Sequence, residues 1–253
     1  MFNPFNSPTL VFGVSLVVFW LSAWVGAWFR ARQRSSSEAA REDFAFILGG
    51  ALTLLGLIIG FTFSMAVSRY DQRKNYEEQE ANAIGTEYVR ADLLPSADAA
   101  KVRALLKRYL DQRILSYTAK GVPEHQRVSA LTARLQAELW SALVGPASAA
   151  PTPVMALVVA GMNDVLNSQG YTQAARWNRI PHAAWVLLVF ISIFCNVLVG
   201  YAAHGRSAGL FVVLPIVLSI SFFLIADIDT PLDGVIRVRP QNLVSLADSL
   251  RSP

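Results

Sequence analysis

Four long apolar runs punctuate the chain, at about residues 8–29, 44–68, 182–201 and 208–226. Each is near the roughly 20 residues an α-helix needs to cross a bilayer, and none shows the period-two alternation of a half-buried strand. They predict four transmembrane helices in an all-α, polytopic membrane protein. The first run stops at Arg30, Arg32 and Arg34, and residues 1–7 carry no Lys or Arg, so it reads as a retained span rather than a cleaved signal. The expected organisation is a first transmembrane hairpin over 1–68, an extramembrane helical domain over 69–181, a second hairpin over 182–226 and a C-terminal tail over 227–253.

The polar block keeps a helical period. One segment runs from Arg69 to Leu94 and stops at Pro95. The next starts at Ser96 as N-cap, with Asp98 in the first turn, and sets Val102, Leu105, Leu106, Tyr109, Ile114 and Tyr117 on one stripe before Gly121 and Pro123. A third presents Val128, Leu131, Leu135, Leu139 and Leu143 and ends at Gly145 and Pro146. A small-residue linker, 148–153, leads to a fourth over about 153–167. Stripes of this kind are core.

Composition narrows the class of function. Only 16% of the 253 residues are charged and mean hydropathy is +0.38, against about 25% charged residues in soluble domains. The net charge of +4 suits a neighbour of anionic lipid, and no aromatic-basic motif accompanies it, so nucleic acid is not an expected partner. The single cysteine, Cys195, lies in a span and excludes an intrachain disulfide. His125, His182 and His204 have no metal-ligand spacing, and no nucleophile or phosphate-binding motif occurs. Neither enzymatic activity, a metal nor a cofactor is expected. The spans also lack interior ionisable groups, which argues against proton-coupled transport; Asn196, mid-span, reads as the donor or acceptor of an interhelical hydrogen bond.

The second run is the most informative. Gly56, Gly60, Ser64 and Ser68 recur every four residues, a stripe of small side chains that lets another helix approach closely. Thr53, Leu57 and Phe61 recur at the same interval on an adjacent face. Spacing alone leaves that second face open to three uses: lipid contact, packing, or a ring of apolar side chains around an axis, which can gate by dewetting.

Gly60-Phe61, followed by Arg69-Tyr70-Asp71-Gln72-Arg73, resembles the neck helix of the bestrophin anion channels. Tyr70-Asp71-Gln72-Arg73, Glu80-Ala81-Asn82-Ala83-Ile84-Gly85-Thr86, Arg90-Ala91-Asp92-Leu93-Leu94-Pro95 and the run from Asp227 to Val238 resemble a bacterial family described as bestrophin-like. The resemblance implies four spans, with both termini and the inter-span domain in the cytoplasm of a bacterial inner-membrane protein. It further implies a homo-oligomer, a pentamer in bestrophins, whose second helices line a pore for inorganic anions such as chloride. Carried onto this chain, Leu57 and Phe61 fall on neck-lining positions, with Thr53 one turn earlier. The acidic calcium clasp of animal bestrophins has no counterpart here.

Charge alone does not orient the chain. Arg30, Arg32, Arg34, Arg41 and Arg206 in the short loops oppose Arg69, Arg73, Lys74, Arg176, Arg179, Arg237 and Arg239 on the other side. Arg69 and Arg73, with Asp71 between them, serve either as a basic mouth that concentrates anions or as structural charges paired with Asp71, Glu77, Glu80 or headgroups. Asp227, Asp229 and Asp233 invite a divalent cation, but Asp-Thr-Pro-Leu-Asp-Gly, with Pro231 and Gly234, is also a turn signature, and the turn is preferred. Two functions stand: an anion channel, or a non-conducting membrane scaffold or sensor whose helical domain recruits a protein partner.

Overall fold

The computed structural model describes residues 7–32, 38–119, 121–202, 210–232 and 234–251, and these form eight α-helices with no strand among them. They are α1 (Pro8–Arg32), α2 (Glu38–Arg90), α3 (Ser96–Thr118), α4 (Gly121–Ala149), α5 (Pro153–Trp177), α6 (His182–Ala202), α7 (Leu210–Asp229) and α8 (Gln241–Arg251), with a 3₁₀ turn, Ala91–Leu93, after α2. α1, α6, α7 and part of α2 are each long and apolar enough to cross a membrane. The chain is an all-helical membrane protein. It divides into two compact units, one of residues 1–70 and 179–237, the other of 71–178 and 238–253, so α2 supplies residues to both.

In the first unit the four apolar helices share a core. Phe19 of α1 meets the edge of Phe222 of α7 at 5.1 Å between centroids, and Trp185 of α6 lies 6.0 Å from the same ring; edge-on pairs match the ring's positive rim to its negative face. Leu55, Leu188, Cys195, Leu218 and Ile225 fill the remainder. α1 and α6 cross almost in backbone contact. A Cβ on Gly200 would overlap the Ala23 carbonyl, and one on Gly26 would overlap the Val197 carbonyl. The close helix approach within the protomer is therefore made by Gly26 and Gly200, whereas Gly56 and Gly60 of α2 have nothing within 4 Å of a Cβ.

The second unit buries the expected stripes with local differences. Val102, Leu105, Leu106, Tyr109 and Tyr117 of α3, and Val128, Leu135, Leu139 and Leu143 of α4, are buried. Leu131 is exposed, and Thr132 takes the inward position by donating its hydroxyl to the Val128 carbonyl (2.8 Å). Ser96 is not an N-cap: Pro95 holds that position without a side-chain hydrogen bond, and Ser96 is the first residue of α3. α4 runs through Pro146 to Ala149, because a proline in the last turn forfeits one bond only. α5 starts cleanly, Thr152 Oγ1 accepting from the Met155 amide at 3.1 Å with Pro153 behind it. It continues ten residues beyond the expected 167, where Ser168, Thr172 and Ala175 are buried and the two hydroxyls are satisfied by carbonyls in the preceding turn.

A further helix, α8, forms within the expected tail. Its first amides, on Asn242 and Leu243, donate to Glu77 Oε1 (2.9 and 3.0 Å), and Asn242 Nδ2 donates to Oε2 (2.6 Å). A buried carboxylate from α2 thus caps the positive end of α8. Glu77→Ala is expected to cost about 1.5–3 kcal/mol and to release α8, which hydrogen exchange over 241–251 would read as lost protection.

Candidate functional site

The geometry of α2 within the first unit assigns its residues to two faces. Leu55, Thr62 and Ala66 are buried against the unit's core, with Ile58 and Ile59 partly so. The other side is open: Thr53, Gly56, Leu57, Gly60, Phe61, Ser64 and Ser68 are all exposed, Leu57 at 53% and Phe61 at 64%. Only 6% of α2's apolar window is buried within the protomer, against 33, 39 and 44% for the other candidate spans. Leu57 and Phe61 are thus not wedged inside one chain. Thr53 has its hydroxyl satisfied by the Gly49 carbonyl of its own helix (2.9 Å).

The charges that follow behave differently from one another. Arg69 is half-buried and reaches Met65 Sδ at 3.9 Å, Asp71 is exposed, and Arg73 is only 5% exposed. Beyond them α2 buries three acids in the second unit, Glu77, Glu80 and Glu87. Glu80 pairs with Arg113 of α3 through Nε and Nη2 and accepts the Thr172 hydroxyl of α5 at 3.2 Å. Glu87 has no hydrogen-bond partner for either oxygen. Burial pushes its pKa up to about 8, opposed by Arg90 and reinforced by Asp164. The sequence offers Glu77 and Glu80, alongside Asp71 and headgroups, as candidate partners of Arg69 and Arg73 and assigns Glu87 no role; the helical spacing of all three acids with buried Ile84 and Ala91 is the signal that they face inward.

In the last turn of α7 the carboxylates organise backbone. Asp227 accepts the amides of Val235 and Ile236, both at 2.7 Å. Asp229 Oδ1 accepts the Ile180 amide (3.0 Å), its Oδ2 lies 3.6 Å from Arg179 Nε, and Arg179 Nη2 donates to Thr230 Oγ1 (2.9 Å). Pro231 sits in the turn between them, and a Cβ on Gly234 would come 2.6 Å from the Asp227 carbonyl oxygen, so only glycine fits there. Asp233 lies outside the described residues. Among the described residues no group of three His, Cys, Asp or Glu could hold a metal ion. Asn196 differs from expectation: its Nδ2 donates to Ser192 O of its own helix (2.8 Å), and its buried Oδ1 has no partner, so it makes no interhelical bond.

These features define a helical membrane protein of four apolar helices, one of which leaves a continuous face of small and apolar residues uncovered within the protomer. The sequence matches the bestrophin-like domain over residues 13–243, and the chain belongs to that family. Its fold is similar to crystal structures of a bacterial bestrophin homologue from Klebsiella pneumoniae. One has 14% identity and a TM-score of 0.63, with 96% of each chain covered. Two point variants of that homologue give TM-scores of 0.65 and 0.64 at 14% identity, covering 96 and 97% of this chain and 97 and 99% of theirs. At that identity the likeness establishes the fold. No curated protein matches the chain.

Proposed function

We propose that copies of this chain gather around a common axis as a passive anion channel of the bacterial inner membrane, with Thr53, Leu57 and Phe61 of α2 lining the conduit. The observation that carries this reading is the uncovered face of α2, whose apolar window is 6% buried in a lone protomer. Lipid accepts exposed leucine and phenylalanine readily, but a strip at Gly56, Gly60, Ser64 and Ser68 leaves helix backbone poorly covered by acyl chains and well suited to another helix. In this reading that strip takes a neighbouring copy while Leu57 and Phe61 turn to the axis and control wetting.

Kinship with the bestrophin-like family supports extending the proposal to five subunits, a chloride-like permeant anion, and termini and helical domain in the cytoplasm. Helix dipoles and Arg69 supply the positive potential, since the spans hold no fixed interior charge. No catalytic step and no cofactor enters the proposal.

Purified protein in liposomes tests it. The expected result is chloride flux that changes severalfold on Leu57→Ala or Phe61→Ala, as removal of a hydrophobic constriction requires. A folded oligomer in liposomes that stay sealed to chloride and other inorganic anions would reject the channel and favour the scaffold.

A further inference from the structure

Glu87 carries its carboxyl into the contact between α2 and α5 in the second unit. The residue is 0% exposed, and neither oxygen finds a donor. Space for it exists because position 161 on α5 is glycine: a Cβ there would overlap Glu87 Oε2 and come within 2.5 Å of Arg90 Nη1. Arg90, the cation on the same helix, is turned instead toward the Leu157 carbonyl (3.5 Å) and makes no hydrogen bond to Glu87. From α5 the charged neighbour is Asp164, an exposed acid that opposes ionisation. The acid of the adjoining 3₁₀ turn, Asp92, is engaged by Arg103 of α3. A carboxylate in this position would lack both water and a donor, so the site tolerates the neutral acid and resists the anion.

We propose that Glu87 is a proton-operated latch on the α2–α5 contact: protonated, it lies closed against Gly161, and on releasing its proton to bulk water it leaves for solvent and loosens α5 from α2. With the helical domain in the cytoplasm, as proposed above, its titration near pH 8 puts the working range within reach of the pH there. The sign follows from linkage. An unfolded glutamate titrates near 4.5, so the closed unit holds an extra proton between there and about 8. The stability this contributes is complete below the lower value and is lost as pH rises through the upper one. A leucine would fill such a contact without pH sensitivity, and an ion pair would hold it shut; an unpaired acid beneath a glycine does neither.

Hydrogen exchange of the full-length protein in detergent, corrected for intrinsic rates, tests the latch. Amides of α5 around Gly161 are expected to exchange roughly tenfold faster at about pH 9 than at about pH 6.5 through local opening. Glu87→Gln, which keeps the shape and cannot ionise, should abolish that difference, and Gly161→Ala should give the fast rate at both pH values. The unmodified chain gives an independent reading, because the infrared band of a protonated carboxylic acid should be present at the lower pH and absent at the higher. Exchange that does not change with pH, a Glu87→Gln variant that accelerates in parallel with wild type, or no protonated-acid band near neutrality would overturn the proposal. None of these outcomes depends on whether the protein conducts ions.

Discussion

Glu80→Ala is expected to destabilise the second unit by about 3–5 kcal/mol, the usual cost of removing one partner from a buried ion pair. Glu80 is 0% and Arg113 3% exposed, and Arg113 grips the carboxylate through two nitrogens while Thr172 donates a third hydrogen bond. Alanine leaves a guanidinium that cannot shed its proton in a site closed to water, and it severs the tie among α2, α3 and α5 together. Replacing both members by leucine should cost far less, since the attraction of the pair is largely offset by the desolvation it required. Thermal unfolding in detergent reads the difference: a large drop for the single variant and a small change for the double. Equal losses in both would mean that the pair contributes by packing rather than by charge.

The second large effect is expected at Gly200. A Cβ there meets the Ala23 carbonyl oxygen, its carbon at 2.7 Å and Ala23 Cα at 3.0 Å, all backbone atoms with no rotamer to change. Gly200→Ala must push α1 and α6 apart, at a cost of about 3 kcal/mol or more from overpacking. The informative comparison is Gly60→Ala, where a Cβ meets nothing within 4 Å in the protomer. It should leave protomer unfolding unchanged within about 0.5 kcal/mol while weakening association of copies, read by cross-linking in membranes. If Gly60→Ala neither unfolds the protomer nor disturbs assembly, the small-residue strip has no role in a subunit contact.

The four membrane helices were legible because length and hydropathy decide them, and a bilayer leaves few alternatives for an apolar run of that size. The faces of α2 were half legible. Spacing placed Thr53, Leu57 and Phe61 on one line, but which line faces the protomer depends on where Phe19, Trp185 and Phe222 pack, and that is tertiary. The same limit hid the α1–α6 crossing, where single glycines at positions 26 and 200 meet backbone from a helix more than 170 residues away in sequence. Helix α8 escaped because its cap is Glu77, some 165 residues upstream, and a sequence does not display an N-cap supplied by another helix. Proline and glycine misled in the opposite direction. Gly145 and Pro146 read as a break, yet α4 runs through both. The buried acids were the largest departure: charge on a helix face ordinarily signals water, and Glu77, Glu80 and Glu87 instead point into the second unit, two of them satisfied and one not.

The central claim is that water and anions reach the exposed face of α2 along a shared axis. Phe61→Cys in a Cys195→Ser background, reconstituted in liposomes and treated with a membrane-impermeant anionic thiosulfonate, tests it most directly. The account predicts chloride flux before treatment, modification of the new thiol from the aqueous phase, and block of the flux once it is modified. A thiol at position 61 that the impermeant reagent cannot reach while a lipid-soluble maleimide labels it, with flux unaltered, would contradict the account and place Phe61 against lipid.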